Sequence, residues 1–107
     1  MTERAIVILS TFPSEDTAAL AGKTLVEEKL AACVNIIPGV RSIYHWQDHG
    51  IQDESEVLAL IKTTAPHYDK VAERLGEMHP YDVPEILALP VESAHPFFLA
   101  WLNNSVR

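Results

Sequence analysis

The chain has few basic residues, one cysteine and four glycines, and each shortage removes a class of function. Eight Lys and Arg stand against fifteen Asp and Glu, a formal charge of −7. A field of that sign repels phosphate backbones and anionic lipid, so neither nucleic acid nor a membrane is an expected partner. The lone Cys33 can form no disulfide within the chain and cannot by itself build a structural zinc site. A reducing compartment fits, and the cytoplasm is the expected location. No phosphate loop G-x-x-x-x-G-K, no dinucleotide loop G-x-G-x-x-G, no G-x-S-x-G elbow and no H-E-x-x-H helix is present. The expectation is therefore not an enzyme. The longest apolar runs, Ala5 to Leu9 and Val57 to Ile61, are far too short to span a bilayer, and Met1-Thr2-Glu3-Arg4 has no leader pattern.

What remains is an ordinary globular composition, 48% hydrophobic and 21% charged over 107 residues, which predicts one domain spanning 1–107. Ala5-Ile6-Val7-Ile8-Leu9 reads as a central strand buried on both faces. Ser14 caps a helix that runs to about Lys29, with Ala18, Ala21 and Leu25 at helical spacing. Cys33 to Ile37 and Val40 to Gln47 form a second strand bent at Pro38-Gly39, with Ser42, Tyr44 and Trp46 on one face. Asp48-His49-Gly50 turns the chain into a third strand, Glu56 to Lys62. Pro66 opens a second helix carrying Tyr68, Val71, Ala72, Leu75 and Met78, which ends at His79 before Pro80. Ile86 to Leu89 is a short fourth strand, limited by Pro90 to a short core or edge position. Pro96 starts a last helix too short to stand alone, which must dock on the helix-free face of the sheet.

The order β-α-β-β-α-β-α predicts an α+β, ferredoxin-like βαββαβ sandwich with an extra C-terminal helix and a long hairpin between the second and third strands. Tyr44 and Trp46 on that hairpin would be partly wet in a monomer, which points to self-association.

Candidate site residues concentrate in His79-Pro80-Tyr81-Asp82-Val83-Pro84-Glu85, a loop stiffened by two prolines. His79 there is either a ligand or a hydrogen-bonding residue at a helix end. Cys33 reads as a soft ligand or, between Ala32 and Val34, as a small buried hydrophobe. Lys62 either emerges into water or needs a carboxylate such as Glu85. Asp53-Glu54-Ser55-Glu56 lacks the alternation and glycine of a calcium loop and reads as a solvated tip. The five histidines are dispersed along the chain, and a preformed metal site within one chain is not expected.

Leu30-Ala31-Ala32-Cys33-Val34-Asn35, Ser42-Ile43-Tyr44-His45-Trp46, Ile61-Lys62-Thr63-Thr64, His79-Pro80-Tyr81 with Val83-Pro84-Glu85, and Trp101-Leu102 occur in one order along the chain. Together they resemble the CutA divalent-cation-tolerance proteins over nearly its whole length. The resemblance implies a homotrimer similar in architecture to the PII signalling proteins, with a link to copper(II) and other divalent cations and no obligatory cofactor. It further implies an intersubunit pocket drawing on Cys33, Tyr44, Trp46, Lys62, His79, Tyr81 and Glu85, with His79 and Cys33 the candidate metal ligands. Some members carry extra Cys or His where this chain has Ser10, Arg74 and Met78, so a tight thiolate site is not expected. The alternative function is a PII-like sensor whose cleft binds a small anion through Lys62 between aromatic walls. An enzyme using His79 and Glu85, or Cys33 as nucleophile, ranks last.

Overall fold

The computed structural model describes residues 2–107 and contains the elements β1 (Ala5–Phe12), α1 (Glu15–Glu27), β2 (Cys33–His45), β3 (Ile51–Thr64), α2 (Tyr68–Met78), β4 (Leu87–Pro90) and α3 (Pro96–Ser105). The four strands form one antiparallel sheet in the order β2-β3-β1-β4. Each helical crossover skips one strand, which is the ferredoxin-like topology the element order predicts.

Period-two alternation along β1 sends Ile6, Ile8 and Phe12 to one face, where they meet Val57, Ala59 and Ile61 of β3. Ala18, Ala21 and Leu25 of α1 and Val71 and Leu75 of α2 join the same cluster, so both crossover helices cover that face. Ser14 caps α1 by accepting a hydrogen bond at Oγ from the Thr17 N–H at 3.2 Å. The helix stops short of the expected Lys29 because that residue adopts φ 60°, the left-handed region. Lys29 N–H then donates to Val26 O and Leu30 N–H to Leu25 O, a Schellman ending that satisfies carbonyls of the last turn.

The expectation that β1 is buried on both faces was wrong. Val7 and Leu9 point away from α1 and α2 and are only half-buried, as are Leu58 and Leu60 beside them. Leu87 and Leu89 of β4 continue that face with 56% and 51% of their surface exposed. The unbroken apolar run conceals this because both faces of β1 are apolar and only one is covered within the chain. α3 covers one end of it: Leu102 packs on Ala5 and Ala32, flanked by Val91, Leu99 and Val106. Asn103 clips the helix to the N-terminal segment, donating from Nδ2 to Glu3 O and accepting at Oδ1 from the Glu3 N–H.

The hairpin is longer than its sequence pattern indicates. β2 runs unbroken from Cys33 to His45 through a bulge at Pro38-Gly39, where Gly39 takes φ 78°. β3 begins at Ile51, five residues before the expected Glu56, and ends at Thr64. Polar residues at Gln52 to Ser55 hide a strand whose partners are supplied by β2 alone. The Pro66 turn is a short 3-10 segment, Ala65–His67, that leads into α2. β4 lies at the edge, with Pro90 opposite Ile6.

Two core substitutions have opposite expected signs. Leu25→Ala removes a fully buried side chain and should cost about 2–5 kcal/mol in urea unfolding. Ser10 is fully buried in the β1 row that faces the helices, and its Oγ has no hydrogen-bond partner. Ser10→Ala should therefore stabilise the fold, by about 1 kcal/mol.

Candidate functional site

Beyond Phe12, which pairs with Val57, β1 ends while the β2-β3 hairpin continues. The loop that follows α2 fills part of the space beside the projecting hairpin. Between them lies a cleft of about 640 Å³ lined by Thr11, Ser42, Ile43, Tyr44, Trp46, Glu56, Pro80, Tyr81, Asp82, Val83 and Glu85.

His79 anchors this loop. Its ring stacks on Phe12 with centroids 4.3 Å apart, and the residue is 9% exposed. Nε2 lies 2.9 Å from Thr11 O, a carbonyl that can only accept, so Nε2 carries the proton. Nδ1 then accepts the Tyr81 N–H at 3.1 Å. Both ring nitrogens are thereby engaged inside the chain, and the neutral ring offers no free lone pair to a metal ion in this arrangement. Burial lowers the His79 pKa, against smaller raising effects from the Thr11 carbonyl and Glu56.

The anchored loop delivers Tyr81 to Glu56, its hydroxyl donating to Oε2 at 2.7 Å. Burial first, then the Glu56 hydrogen bond, push the Tyr81 phenol far above its ordinary range. A second phenol repeats the pattern on the hairpin, where Tyr44 donates to Glu54 Oε2 at 2.9 Å and stands edge-on to Trp46. Burial and the neighbouring Glu56 charge raise the Glu85 pKa. The cleft lining thus holds three carboxylates, three aromatic rings and no Lys, Arg or His.

Tyr44, Trp46, Tyr81 and Glu85 line this one cleft within the chain, with His79 behind the loop as its support. Cys33 and Lys62 are elsewhere. They face each other across β2 and β3, with Val7 on the far side of Lys62, six residues along β3 from Glu56 and so about 20 Å away. Lys62 makes no ion pair with Glu85. Its ammonium sits 5.9 Å from the Phe98 ring centroid beneath α3. Cys33 is half-buried, with Sγ 3.8 Å from Asn35 Oδ1. Among the described residues, no three His, Cys, Asp or Glu side chains are grouped to hold a metal ion.

Glu56 and Glu54 are the residues that sequence reasoning missed by placing them in a solvated tip. Glu56 is 8% exposed. Alternation back from Leu60 and Leu58 puts Glu56 and Glu54 on one face, and hairpin pairing then sets Glu54 opposite Ser42, two residues from Tyr44. That signal was available in the chain.

The fold agrees with the comparisons to known proteins. The family described as CutA1 divalent ion tolerance protein matches residues 6–105. The chain belongs to the CutA family. A Thermus thermophilus relative named Divalent-cation tolerance protein CutA is 50% identical over 99 residues, 92% of this chain and 95% of that one. An Arabidopsis thaliana relative, Protein CutA, chloroplastic, is 41% identical over 106 residues, 99% of this chain and 58% of that one. The crystal structure of CutA1 from Oryza sativa superposes with a TM-score of 0.94 at 40% identity, covering 99% of this chain and 96% of that one. The Thermus thermophilus structure gives 0.92 at 47% identity, covering 96% and 99%. The family is named for tolerance of divalent ions and not for a reaction. Among the described residues no helix is long and apolar enough to cross a membrane.

The depressed pKa values of His79 and His67 set a pH dependence. Burial lowers both below the ordinary 6.5, so just under that pH the unfolded chain binds more protons than the folded one. Their contribution is complete above pH 6.5 and is lost as the pH falls from there toward the depressed values. The urea midpoint should therefore be lower at about pH 5.5 than at about pH 8, and His79→Gln should flatten that slope.

Proposed function

We propose that this protein acts in divalent-cation tolerance as a cytoplasmic homotrimer whose cleft recognises cations. The observation that carries the reading is the cleft lining: Glu56, Asp82 and Glu85 beside three aromatic rings, without one basic side chain. Carboxylate and phenol oxygens suit a hard or borderline divalent ion held weakly, copper(II) included, with some ligands supplied by water or a neighbour. Cys33, the soft donor, joins such a site only if another copy brings it to the cleft, as does Lys62. His79 would have to release the Tyr81 N–H before it could ligate. The small-anion alternative draws no support from this lining.

Self-association is supported by the open face of the sheet. Ile37, Leu87 and Leu89 are exposed there next to half-buried Val7, Leu9, Leu58 and Leu60, and both edge strands lack partners on one side. The unpaired cysteine supports a reducing compartment.

Light scattering should return three times the 11.9 kDa chain mass, and Leu60→Glu should shift it to the monomer. A wild-type monomer would remove the trimer from the reading. In calorimetric titration with copper(II), Glu56→Gln should weaken binding by about tenfold. Equal binding by Glu56→Gln and wild type, with loss in His79→Ala or Cys33→Ser, would return the ion to the imidazole or thiolate.

A further inference from the structure

The cleft is larger and more apolar than a bare metal ion requires. About 640 Å³ lies within the range of pockets that take small organic molecules. Its walls include the rings of Tyr44, Trp46 and Tyr81 and the aliphatic surfaces of Ile43, Pro80 and Val83. Such surfaces donate nothing to a metal, yet they favour an alkyl chain, and the aromatic faces favour a cation.

Glu56 supplies the polar end. It is more than nine-tenths buried and belongs to no ion pair. Tyr81 satisfies Oε2, while Oε1 has no hydrogen-bond partner among the described residues and, not being sealed inside the protein, is open to solvent at the cleft. A largely buried carboxylate whose one free acceptor opens to the cleft, with no counter-charge beside it, suits a partner that is positive and carries N–H groups. Asp82 and Glu85 at the same cleft reinforce the sign of the field.

We infer that the cleft binds an organic primary ammonium, an alkyl amine or diamine, with its –NH₃⁺ on Glu56 Oε1 and its chain along Trp46, Tyr44 and Ile43. This rests on the reading of the cleft as a cation site and names a second class of cation for it. A quaternary ammonium satisfies the aromatic faces and leaves Oε1 without a donor, so it binds less well. An alkyl carboxylate of the same length is excluded by charge. Divalent ions and amines would draw on the same carboxylates and so compete, which couples the two ligands through one site.

The test is calorimetric titration of the wild-type protein with n-butylamine, 1,4-diaminobutane, tetramethylammonium and butyrate, each repeated with copper(II) present. Saturable binding of the two primary amines is expected, with weaker tetramethylammonium, no butyrate binding, and competition from copper(II). Glu56→Gln should lower amine affinity about tenfold, the loss of a charge-assisted hydrogen bond. Trp46→Leu, on the projecting hairpin and outside the chain's core, should lower it several-fold while circular dichroism and light scattering match wild type, which guards against misfolding of the Glu56 variant. Absence of saturable amine binding, or binding that both variants retain, overturns the inference. If copper(II) binds through Glu56 while amines do not, only the amine inference fails. If neither cation binds, the cation reading of the cleft fails with it.

Discussion

The structure depends on a mismatch of strand lengths. β3 has 14 residues, whereas β1 beside it has 8 and β4 has 4. The inner half of the hairpin is an ordinary part of the sheet, with Val57, Ala59 and Ile61 buried under α1 and α2. The outer half, from Ile51 to Glu56, pairs with β2 alone and has no strand on its other side. A two-stranded ribbon is marginal by itself. Two cross-strand links stiffen it: Arg41 donates from Nε and Nη2 to Asp53, and Tyr44 donates to Glu54. Both are exposed and contribute little to global stability, but they hold the ribbon in register.

The cleft follows from that projection, and His79 closes it. The carbonyl of Thr11 lies at the end of β1, where the sheet narrows from three strands to two, and it accepts the His79 Nε2–H. This bond fixes the exit of α2 against the sheet, and the Tyr81 N–H to Nδ1 then fixes the direction of the loop. The two bonds set the loop so that the Tyr81 hydroxyl reaches Glu56. The imidazole therefore acts through Tyr81, as a positioning residue. Its neutral tautomer is required at both ends, since a protonated ring would confront the Tyr81 N–H with a second donor.

Much of the fold was legible in the chain, for reasons particular residues make plain. Alternating and β-branched runs located the inner strands, Ser14 and Pro66 located helix starts, and the element order left one economical topology. The errors arose where local pattern carried no information about neighbours. Val7 and Leu9 are as apolar as Ile6 and Ile8, so no periodicity could show that one pair lies uncovered. Gln52 to Ser55 are polar on both faces, because both faces of the ribbon are wet, so the strand there looked like a turn. At the site, residue types in the stiff loop drew attention to His79 and Tyr81. What each does depends on a carbonyl from β1 and a carboxylate from β3, contacts between distant segments that no local motif encodes.

The separation of Cys33 and Lys62 from the cleft bears on how one surface can serve assembly and recognition together. This face of the sheet runs from Lys62 and Cys33, at the end that α3 partly covers, across the open stretch of Leu58 and Leu60, to Glu56 at the other end. Burying its apolar middle against another copy would exclude water between the two ends and lower the dielectric around Glu56 and Glu85. In that setting an uncompensated carboxylate becomes costlier, and a bound cation correspondingly more stabilising. Burial and Glu56 already raise the Glu85 pKa in the isolated chain. Assembly should strengthen cation recognition in the cleft even where no partner side chain touches the ligand, because the apolar face proposed for association and the charged cleft proposed for cations are adjacent stretches of one strand.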